Sequence, residues 1–220
     1  MEINYLGANS ISIVLKGAVL VSNPYWDEYG LQAPKKTPDV VLISDKEAEV
    51  DSKPTSKDGS FVIGIPGEYE VRDFGIIGIP VGTSNESEVE GEEEATDTPS
   101  GTCFRIGADG LNIGLISRAT RVLTEEQQEI LGVVDILVIP VGDNEGIDAL
   151  KAAKIVRTLD PKIVIPTYYV DNKTTYKQGN VGALDQFLQE MSGVEHETMA
   201  TLKIKNGHIA DKMQIVELAA

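Results

Sequence analysis

The pattern that most constrains the fold is a change of periodicity near the middle of the chain. The first half consists of short apolar or alternating segments of strand length, separated by turns that contain glycine or proline. The second half alternates amphipathic helix patterns with short aliphatic strand patterns. An amphipathic helix buries its apolar side against a neighbouring sheet, so the helices belong on the outside. The sequence therefore predicts an α/β protein of two sheets with helices over their outer faces.

Local signals place several elements along the chain. The Asp109-Gly110 pair predicts a tight hairpin between two strands. Thr124 and Gln127 have the spacing of a capping box, which predicts a helix that begins there and ends near Gly132. The other helices are predicted at residues 148–159 and 183–191, and the strands at residues 3–6, 10–15, 18–22, 40–44, 60–65, 68–71, 74–79, 102–106, 111–116, 135–141, 162–166, 201–205 and 214–218.

Composition sets the class of protein. A length of 220 residues fits a single domain, residues 1–220, with a substantial core. No stretch approaches the roughly 18 apolar residues of a transmembrane helix, and the N-terminus lacks the pattern of a signal peptide. The single cysteine, Cys103, excludes an intramolecular disulfide and any multi-cysteine zinc site. These features predict a cytoplasmic protein.

The charge of the chain excludes two classes of partner. A net charge of −16 argues against nucleic acid and against anionic membranes, because both are bound by clustered lysine and arginine. Residues 84–100 contain seven acidic residues and no basic one. Such a segment is too polar to bury, so we expect a solvated, mobile loop; the alternative is a docking segment for a basic partner.

The two histidines, His196 and His208, both lie near the C-terminus. We expect His196 in a surface loop and His208 in a hairpin turn, and neither has a third metal ligand nearby. The sequence has no Gly-x-Ser-x-Gly elbow, no phosphate-binding loop and no dinucleotide fingerprint. Nucleophilic catalysis by serine or cysteine therefore lacks a suitable base.

Several segments, in the same order along the chain, nevertheless resemble the metallo-β-lactamase superfamily. The similarity is to the branch of L-ascorbate-6-phosphate lactonase and small zinc-dependent hydrolases, and it covers about residues 1–190. It implies a four-layer αββα sandwich with a site at one edge, where loops of both sheets meet. The similar segments are YLGANS at residues 5–10, VLVSNPY at 19–25, DVVLIS at 39–44, IPGEYEV at 65–71, LTEEQ at 123–127, residues 135–142, and residues 162–169.

The resemblance also implies where metal ligands would stand. The opening-turn histidine of the family falls on Ala8, and the aspartate that ends the third strand falls on Asn23. The bridging aspartate falls on Arg118, and the last histidine falls on Tyr168. The remaining ligand positions, which the family fills with histidine or aspartate, fall on Asp45, Glu47, Glu49, Val50 and, approximately, Thr83.

None of these positions keeps its expected ligand, so the resemblance implies a scaffold whose metal site is replaced. Arginine is a permanent cation and would repel a divalent ion, so we expect Arg118 to pair with Asp45 or Glu47 instead. The prediction is no metal cofactor. The alternative is Mg²⁺ or Ca²⁺ held through the oxygens of Asp45, Glu47, Glu49 and Asp51, which alternate along one side of an extended segment.

The leading hypothesis is a pseudoenzyme that binds a small molecule or a protein partner. Its remodelled pocket contains Asn23, Asp45, Glu47, Thr83, Arg118 and Tyr168, with Tyr25 and Trp26 at the rim. Arg118 and Tyr168 would receive a small anion such as a phosphate or carboxylate.

Two other hypotheses remain open. One is a metal-dependent hydrolase of a lactone or phosphoester with an oxygen-ligand site. The other is a scaffold or homo-oligomer subunit in which the site is only packing. The similarity to small bacterial hydrolases favours the cytoplasm of a prokaryote.

Overall fold

A computed structural model describes residues 1–24, 36–44, 59–82, 99–120, 123–143, 146–170, 181–205 and 207–219. These residues form two sheets with helices, which confirms the predicted mixed α/β class. The strands are β1 (Glu2–Gly7), β2 (Ser10–Leu15), β3 (Ala18–Ser22), β4 (Val40–Leu42), β5 (Phe61–Ile63), β6 (Gly67–Val71), β7 (Phe74–Val81), β8 (Gly101–Ala108), β9 (Leu111–Leu115), β10 (Ile136–Pro140), β11 (Ile163–Thr167), β12 (Glu195–Met199), β13 (Leu202–Lys203) and β14 (Gln214–Leu218). The helices are α1 (Glu125–Leu131), α2 (Ala149–Leu159) and α3 (Ala183–Glu190).

Each half of the chain contributes mainly to one sheet. In the described ranges, one sheet has six strands in the order β13-β1-β2-β3-β4-β5. The other has eight, in the order β12-β14-β11-β10-β9-β8-β7-β6. Strands β9, β10 and β11 are parallel to one another, so their carboxyl ends lie at the same edge of the sheet. This parallel part is what positions the site.

The core lies mainly between the two sheets. Ile3 and Ile13 of the six-stranded sheet and Phe74 and Phe104 of the eight-stranded sheet are fully buried members of one apolar cluster. Strand β10 is buried along its whole length. A central parallel strand covered on both faces has this continuous aliphatic sequence because neither face meets water.

The described helices belong to the outer side of the eight-stranded sheet. The N-cap of α1 is Thr124, and its capping box with Gln127 is formed as predicted. The Gln127 side chain also donates to the Pro80 carbonyl at 2.9 Å, which fixes α1 on β7. Helix α2 contacts β10, and α3 packs on α2. None of these helices is long and apolar enough to cross a membrane.

Two local predictions near the C-terminus are wrong. His196 does not lie in a loop but in β12, where its ring nitrogen lies 3.2 Å from a Glu217 carboxylate oxygen. Strand β12 is an edge strand in which four polar residues precede Met199, so its sequence carries no apolar alternation that would reveal it. His208 does not turn a hairpin, because β13 pairs with β1 in one sheet and β14 pairs with β11 in the other.

Candidate functional site

Three side chains follow the ends of the three parallel strands. Arg118 comes after β9, Asp143 after β10 and Tyr168 directly after β11. Neighbouring parallel strands bring the residues that follow them to one edge of a sheet. The local chain direction thus assembles a cation, a carboxylate and an aromatic ring from distant parts of the sequence.

Arg118 is fixed on two sides at this edge. Its Nε donates to Asp143 Oδ2 at 2.8 Å, and the two side chains are only 15% and 9% exposed. Its guanidinium carbon lies 4.0 Å from the centroid of the Tyr168 ring, a cation–π contact. A charge-assisted bond and a stacked ring together hold the guanidinium plane in one orientation.

The loop after β10 holds Asp143 in place. The second carboxylate oxygen, Oδ1, accepts from the Gly146 amide at 3.3 Å, and the Asp143 amide donates to the Ile147 carbonyl at 3.0 Å. A Cβ added at Gly146 would lie 2.2 Å from the carbonyl oxygen of Arg118. Glycine is therefore needed for the loop to approach Arg118 this closely.

Asn23, directly after β3, belongs to the site from the side of the six-stranded sheet and is fully buried. Its Nδ2 donates to the Asn9 carbonyl at 3.0 Å and to Ser44 Oγ at 2.7 Å. Its Oδ1 accepts from the Ser44 amide at 2.8 Å. Three hydrogen bonds compensate the desolvation of this amide and tie the end of β3 to the residues after β4.

Buried hydrogen bonds join the two sheets beside Asn23. Thr167 Oγ1 donates to Asn9 Oδ1 at 2.7 Å, and the Tyr168 amide donates to the Ala8 carbonyl at 2.8 Å. Ser117 Oγ donates to the Ser44 carbonyl at 2.9 Å. Such networks fix geometry well because each unpaired member would be costly.

The backbone at the same edge is strained. Ala8, Asn23 and Tyr168 have positive φ angles of 52°, 44° and 55°. The left-handed region is unfavourable for residues with a Cβ, and such positions concentrate at binding and catalytic sites. Three strained residues in one hydrogen-bonded cluster mark this edge as the candidate site.

The structure brings together three of the predicted site residues. Arg118 and Tyr168 are in direct contact, and Asn23 reaches them through Asn9 and Ala8. Their role in binding a ligand stays a prediction. The other predicted residues lie outside the described ranges: Tyr25, Trp26, Asp45, Glu47, Glu49, Asp51 and Thr83, together with most of the acidic segment 84–100.

Sequence reasoning missed Asp143 as the partner of Arg118. Asp143 lies between the predicted strand at residues 135–141 and the predicted helix at 148–159, and no binding role was predicted for it. The sequence did contain a signal for it. Asp143 is the first charged side chain after β10, and in a parallel sheet the residues that follow neighbouring strands lie close together. Asn9 was also missed, since it stands in a turn where asparagine is common for conformational reasons alone.

The described residues do not fit a zinc ion. Zinc sites in hydrolases use neutral imidazoles and carboxylates. Here Ala8 offers no donor, Arg118 is a cation, and Asp143 is bound to that cation. Within the described ranges, no group of three or more His, Cys, Asp or Glu side chains is arranged to hold a metal.

Comparison with solved structures shows the fold. A candidate zinc-dependent hydrolase of the metallo-β-lactamase superfamily from Thermotoga maritima is 21% identical, with a TM-score of 0.70 over 99% of this chain and 97% of its own. Igni18, a metallo hydrolase from Ignicoccus hospitalis, is 17% identical, with a TM-score of 0.62 over 93% and 99%. The metallo-β-lactamase fold protein YhfI from Bacillus subtilis is 10% identical, with a TM-score of 0.63 over 99% and 96%.

Comparison of sequences gives the family. No curated protein matches the chain at a significant level. A family model described as the beta-lactamase superfamily domain matches residues 2–168, which is most of the chain and includes β1 to β11 and the candidate site. The chain therefore belongs to the metallo-β-lactamase superfamily.

Proposed function

We propose that this protein is a non-catalytic member of its superfamily and binds a small anion or a protein partner at the remodelled site. The observation that carries the proposal is the state of Arg118. It stands where the family resemblance puts the bridging aspartate, it is paired with Asp143, and it is stacked on Tyr168.

Electrostatics argues against hydrolysis assisted by a metal at this position. A bridging carboxylate attracts divalent ions, whereas a guanidinium repels them at every physiological pH. The carboxylate of Asp143 is engaged by that guanidinium at 2.8 Å. A metal would have to displace the arginine and leave a buried cation without its partner, which is strongly unfavourable.

The same arrangement suits an anion. The guanidinium is held in one plane, so little side-chain entropy would be lost when a phosphate or carboxylate binds. The 15% exposed fraction of the Arg118 side chain gives a ligand limited access. Tyr168 would add an aromatic wall to the same pocket.

A second candidate is a metal-dependent hydrolase, which the superfamily and the names of the solved neighbours favour. In that case Asp45, Glu47, Glu49 and Asp51 would supply oxygen ligands for Mg²⁺ or Ca²⁺. Lactones and phosphoesters are the substrate classes to test.

Elemental analysis by mass spectrometry separates the two candidates. Protein purified without chelator, and then reloaded with zinc, manganese, magnesium or calcium, should contain far less than one ion per chain. One or two tightly held ions per chain would refute the binding proposal and favour the hydrolase.

Anion binding is tested by the melting temperature in phosphate and in chloride at equal ionic strength. Phosphate should raise the melting temperature by mass action. The gain should vanish in Arg118→Met and persist in Arg157→Gln, which changes an exposed arginine of α2. A gain that survives Arg118→Met would place the anion elsewhere. If Arg118→Glu only destabilises the fold and wild-type protein binds no anion, the site is packing.

A further inference from the structure

A trough of about 740 Å³ lies on the outer face of the eight-stranded sheet, away from the site of Arg118. It runs across β6, β7, β8 and β9, which form an antiparallel meander. Phe74 and Ile76 of β7 point into the core, so the alternate residue Gly75 faces the trough. None of the residues that line the trough falls on a ligand position that the family resemblance implies.

Two glycines form the floor. Gly75 of β7 pairs directly with Gly107 of β8. In the same cross-strand row, Gly75 pairs with Glu70 on β6, and Gly107 pairs with Asn112 on β9. Side chains directly opposite one another share a face, so Glu70 and Asn112 form two walls with bare backbone between them.

Among the described residues, no close contact and no positive φ angle calls for glycine at either position. A strand glycine usually serves a bulge, a left-handed φ or a tight packing contact. The register from β6 to β9 continues without a shift, and neither residue has a positive φ. An added Cβ would meet nothing within 4 Å at Gly75 and only an ordinary 3.5 Å contact at Gly107.

Neighbouring glycines on the same strands behave differently. A Cβ at Gly78 of β7 would come within 3.0 Å of the Ile65 carbonyl oxygen. A Cβ at Gly114 of β9 would come within 3.2 Å of Leu137 and Val134. Those two glycines are explained by packing. Nothing in the described part of the chain accounts for Gly75 and Gly107 in this way, and the other use of a strand glycine is the close approach of a ligand or of another backbone.

Acidic side chains of β6 and Arg105 of β8 lie on opposite sides of the trough, and Arg72 and Asp73 at one end of it are paired with Asp39 and Lys16. In the next row, Glu68 lies in register with Ile77 and Arg105, so these side chains also face the trough. Nε and Nη2 of Arg105 both donate to Asn112 Oδ1 at 3.3 Å. In the part of the chain that the structure describes, Arg105, Glu68 and Glu70 take part in no ion pair.

We propose that this trough binds a short, extended, zwitterionic peptide. Its ammonium group lies between Glu68 and Glu70, and its carboxylate lies at Arg105 beside Asn112. Adjacent strands are about 4.8 Å apart, so β6 and β9 are about 14 Å apart. Three extended residues span about 10 Å of this distance, and the side chains of Glu70 and Asn112 extend into the rest of it. The bare floor lets the peptide backbone lie close to the sheet.

The test is a titration of ¹⁵N-labelled full-length protein with trialanine, followed by amide chemical shifts. The amides of Gly75, Gly107 and Asn112 should move together and saturate. Trialanine acetylated at its N-terminus and trialanine amidated at its C-terminus should each bind at least tenfold more weakly, because each lacks one charge.

Two variants and a control assign the site. Gly75→Leu places a bulky side chain on the floor, at a position where an added Cβ meets nothing within 4 Å, and it should abolish saturable shifts. Arg105→Gln should weaken binding at least tenfold. Glu197→Leu, on the exposed strand β12 of the same sheet, should bind like wild type.

Three results would overturn the proposal. The first is the absence of saturable shifts at about 10 mM trialanine, which corresponds to a binding free energy weaker than about 3 kcal/mol. The others are equal binding of acetylated trialanine and full binding of trialanine to Gly75→Leu. The second result would indicate the C-terminal tail of a protein instead of a free peptide. The outcome is independent of the site of Arg118, because none of these variants touches it.

Discussion

Arg118 and Arg105 are both partly buried arginines at the eight-stranded sheet, yet their surroundings differ. Arg118 has a carboxylate at 2.8 Å and a tyrosine ring under its guanidinium. Among the described residues, Arg105 bonds only a neutral amide oxygen, that of Asn112, at 3.3 Å. The first lies in a dense network of buried polar groups, and the second borders an open trough.

The difference shows how a fold accommodates a cation. A guanidinium deep in a protein needs a partner charge, because desolvation is otherwise too costly. Asp143 provides that charge, so Arg118 is part of the architecture of the site. A guanidinium beside open solvent has no such need, so Arg105 has no carboxylate partner among the described residues, and an external anion would be its first.

The most direct test of the difference between the two sites is to remove each arginine in turn. Arg118→Met leaves the Asp143 carboxylate nearly buried without its cation and should lower the free energy of unfolding by about 3 kcal/mol. Arg105→Met loses only hydrogen bonds to a neutral amide and should cost less than about 1 kcal/mol. Urea denaturation followed by circular dichroism measures both.

A double variant separates lost pairing from lost packing. Arg118→Met combined with Asp143→Leu removes both charges, and it should recover part of the loss because no unpaired carboxylate remains. If Arg118→Met costs no more than Arg105→Met, the ion pair has no structural role and the contrast between the two sites fails.

Asn23 tests the network on the six-stranded side of the site. Asn23→Ala removes three buried hydrogen bonds and places alanine at a φ of 44°, which asparagine tolerates better. We expect a loss of about 2 kcal/mol, mainly from the unsatisfied Ser44 amide and Asn9 carbonyl. Thermal denaturation gives the value.

Asn4→Ala is the matched control for Asn23. Asn4 also bonds side chains, Ser12 at 3.3 Å and Thr201 at 2.7 Å, but it is only partly buried. Water can replace those bonds, so the cost should be below about 1 kcal/mol. Equal losses in the two variants would mean that burial of the network contributes nothing special.

Much of the fold could be predicted from the sequence because its signals are local. The Asp109-Gly110 hairpin, the capping box at Thr124 and the aliphatic run of β10 each depend on a few adjacent residues. Strand β12 escaped prediction because an exposed edge strand carries no apolar alternation. Its pairing with β14 depends on a partner about 20 residues away.

The site was less predictable because its contacts are long-range. The resemblance to the superfamily indicated Asn23, Arg118 and Tyr168, but Asp143 joins Arg118 across 25 positions of sequence. Thr167 reaches Asn9 across 158 positions. Such pairs follow from strand order and register, which the sequence pattern leaves open. The trough was missed for a related reason, since a glycine in a strand has no local meaning until its cross-strand neighbour is known.

Substitution of glycine by alanine should have opposite effects on stability at the site of Arg118 and in the floor of the trough. Gly101 begins β8 beside the site, and a Cβ there would lie 2.3 Å from Ser117 Oγ and 2.8 Å from the Ser44 carbonyl oxygen. Gly101→Ala should therefore disturb the bond between Ser117 and Ser44 and lower the free energy of unfolding by about 1–2 kcal/mol. Urea denaturation of Gly101→Ala and of Gly101→Ala combined with Ser117→Ala measures this, because the second change relieves the closest contact. A neutral Gly101→Ala would show that this edge is not tightly packed.

Gly75→Ala should have the smallest effect, and it should raise the free energy of unfolding instead of lowering it. An alanine in an unstrained strand position restricts the unfolded chain and should add about 0.5 kcal/mol to the free energy of unfolding. The added methyl group meets no atom within 4 Å, so no clash offsets this gain. In a chain of this size the melting temperature should rise by about 1–2 °C, measurable by calorimetry. A decrease would mean that the fold itself requires glycine at this position. A higher melting temperature would mean that glycine at position 75 makes the protein less stable than alanine would. That loss of stability is expected if the floor of the trough is kept open for a ligand.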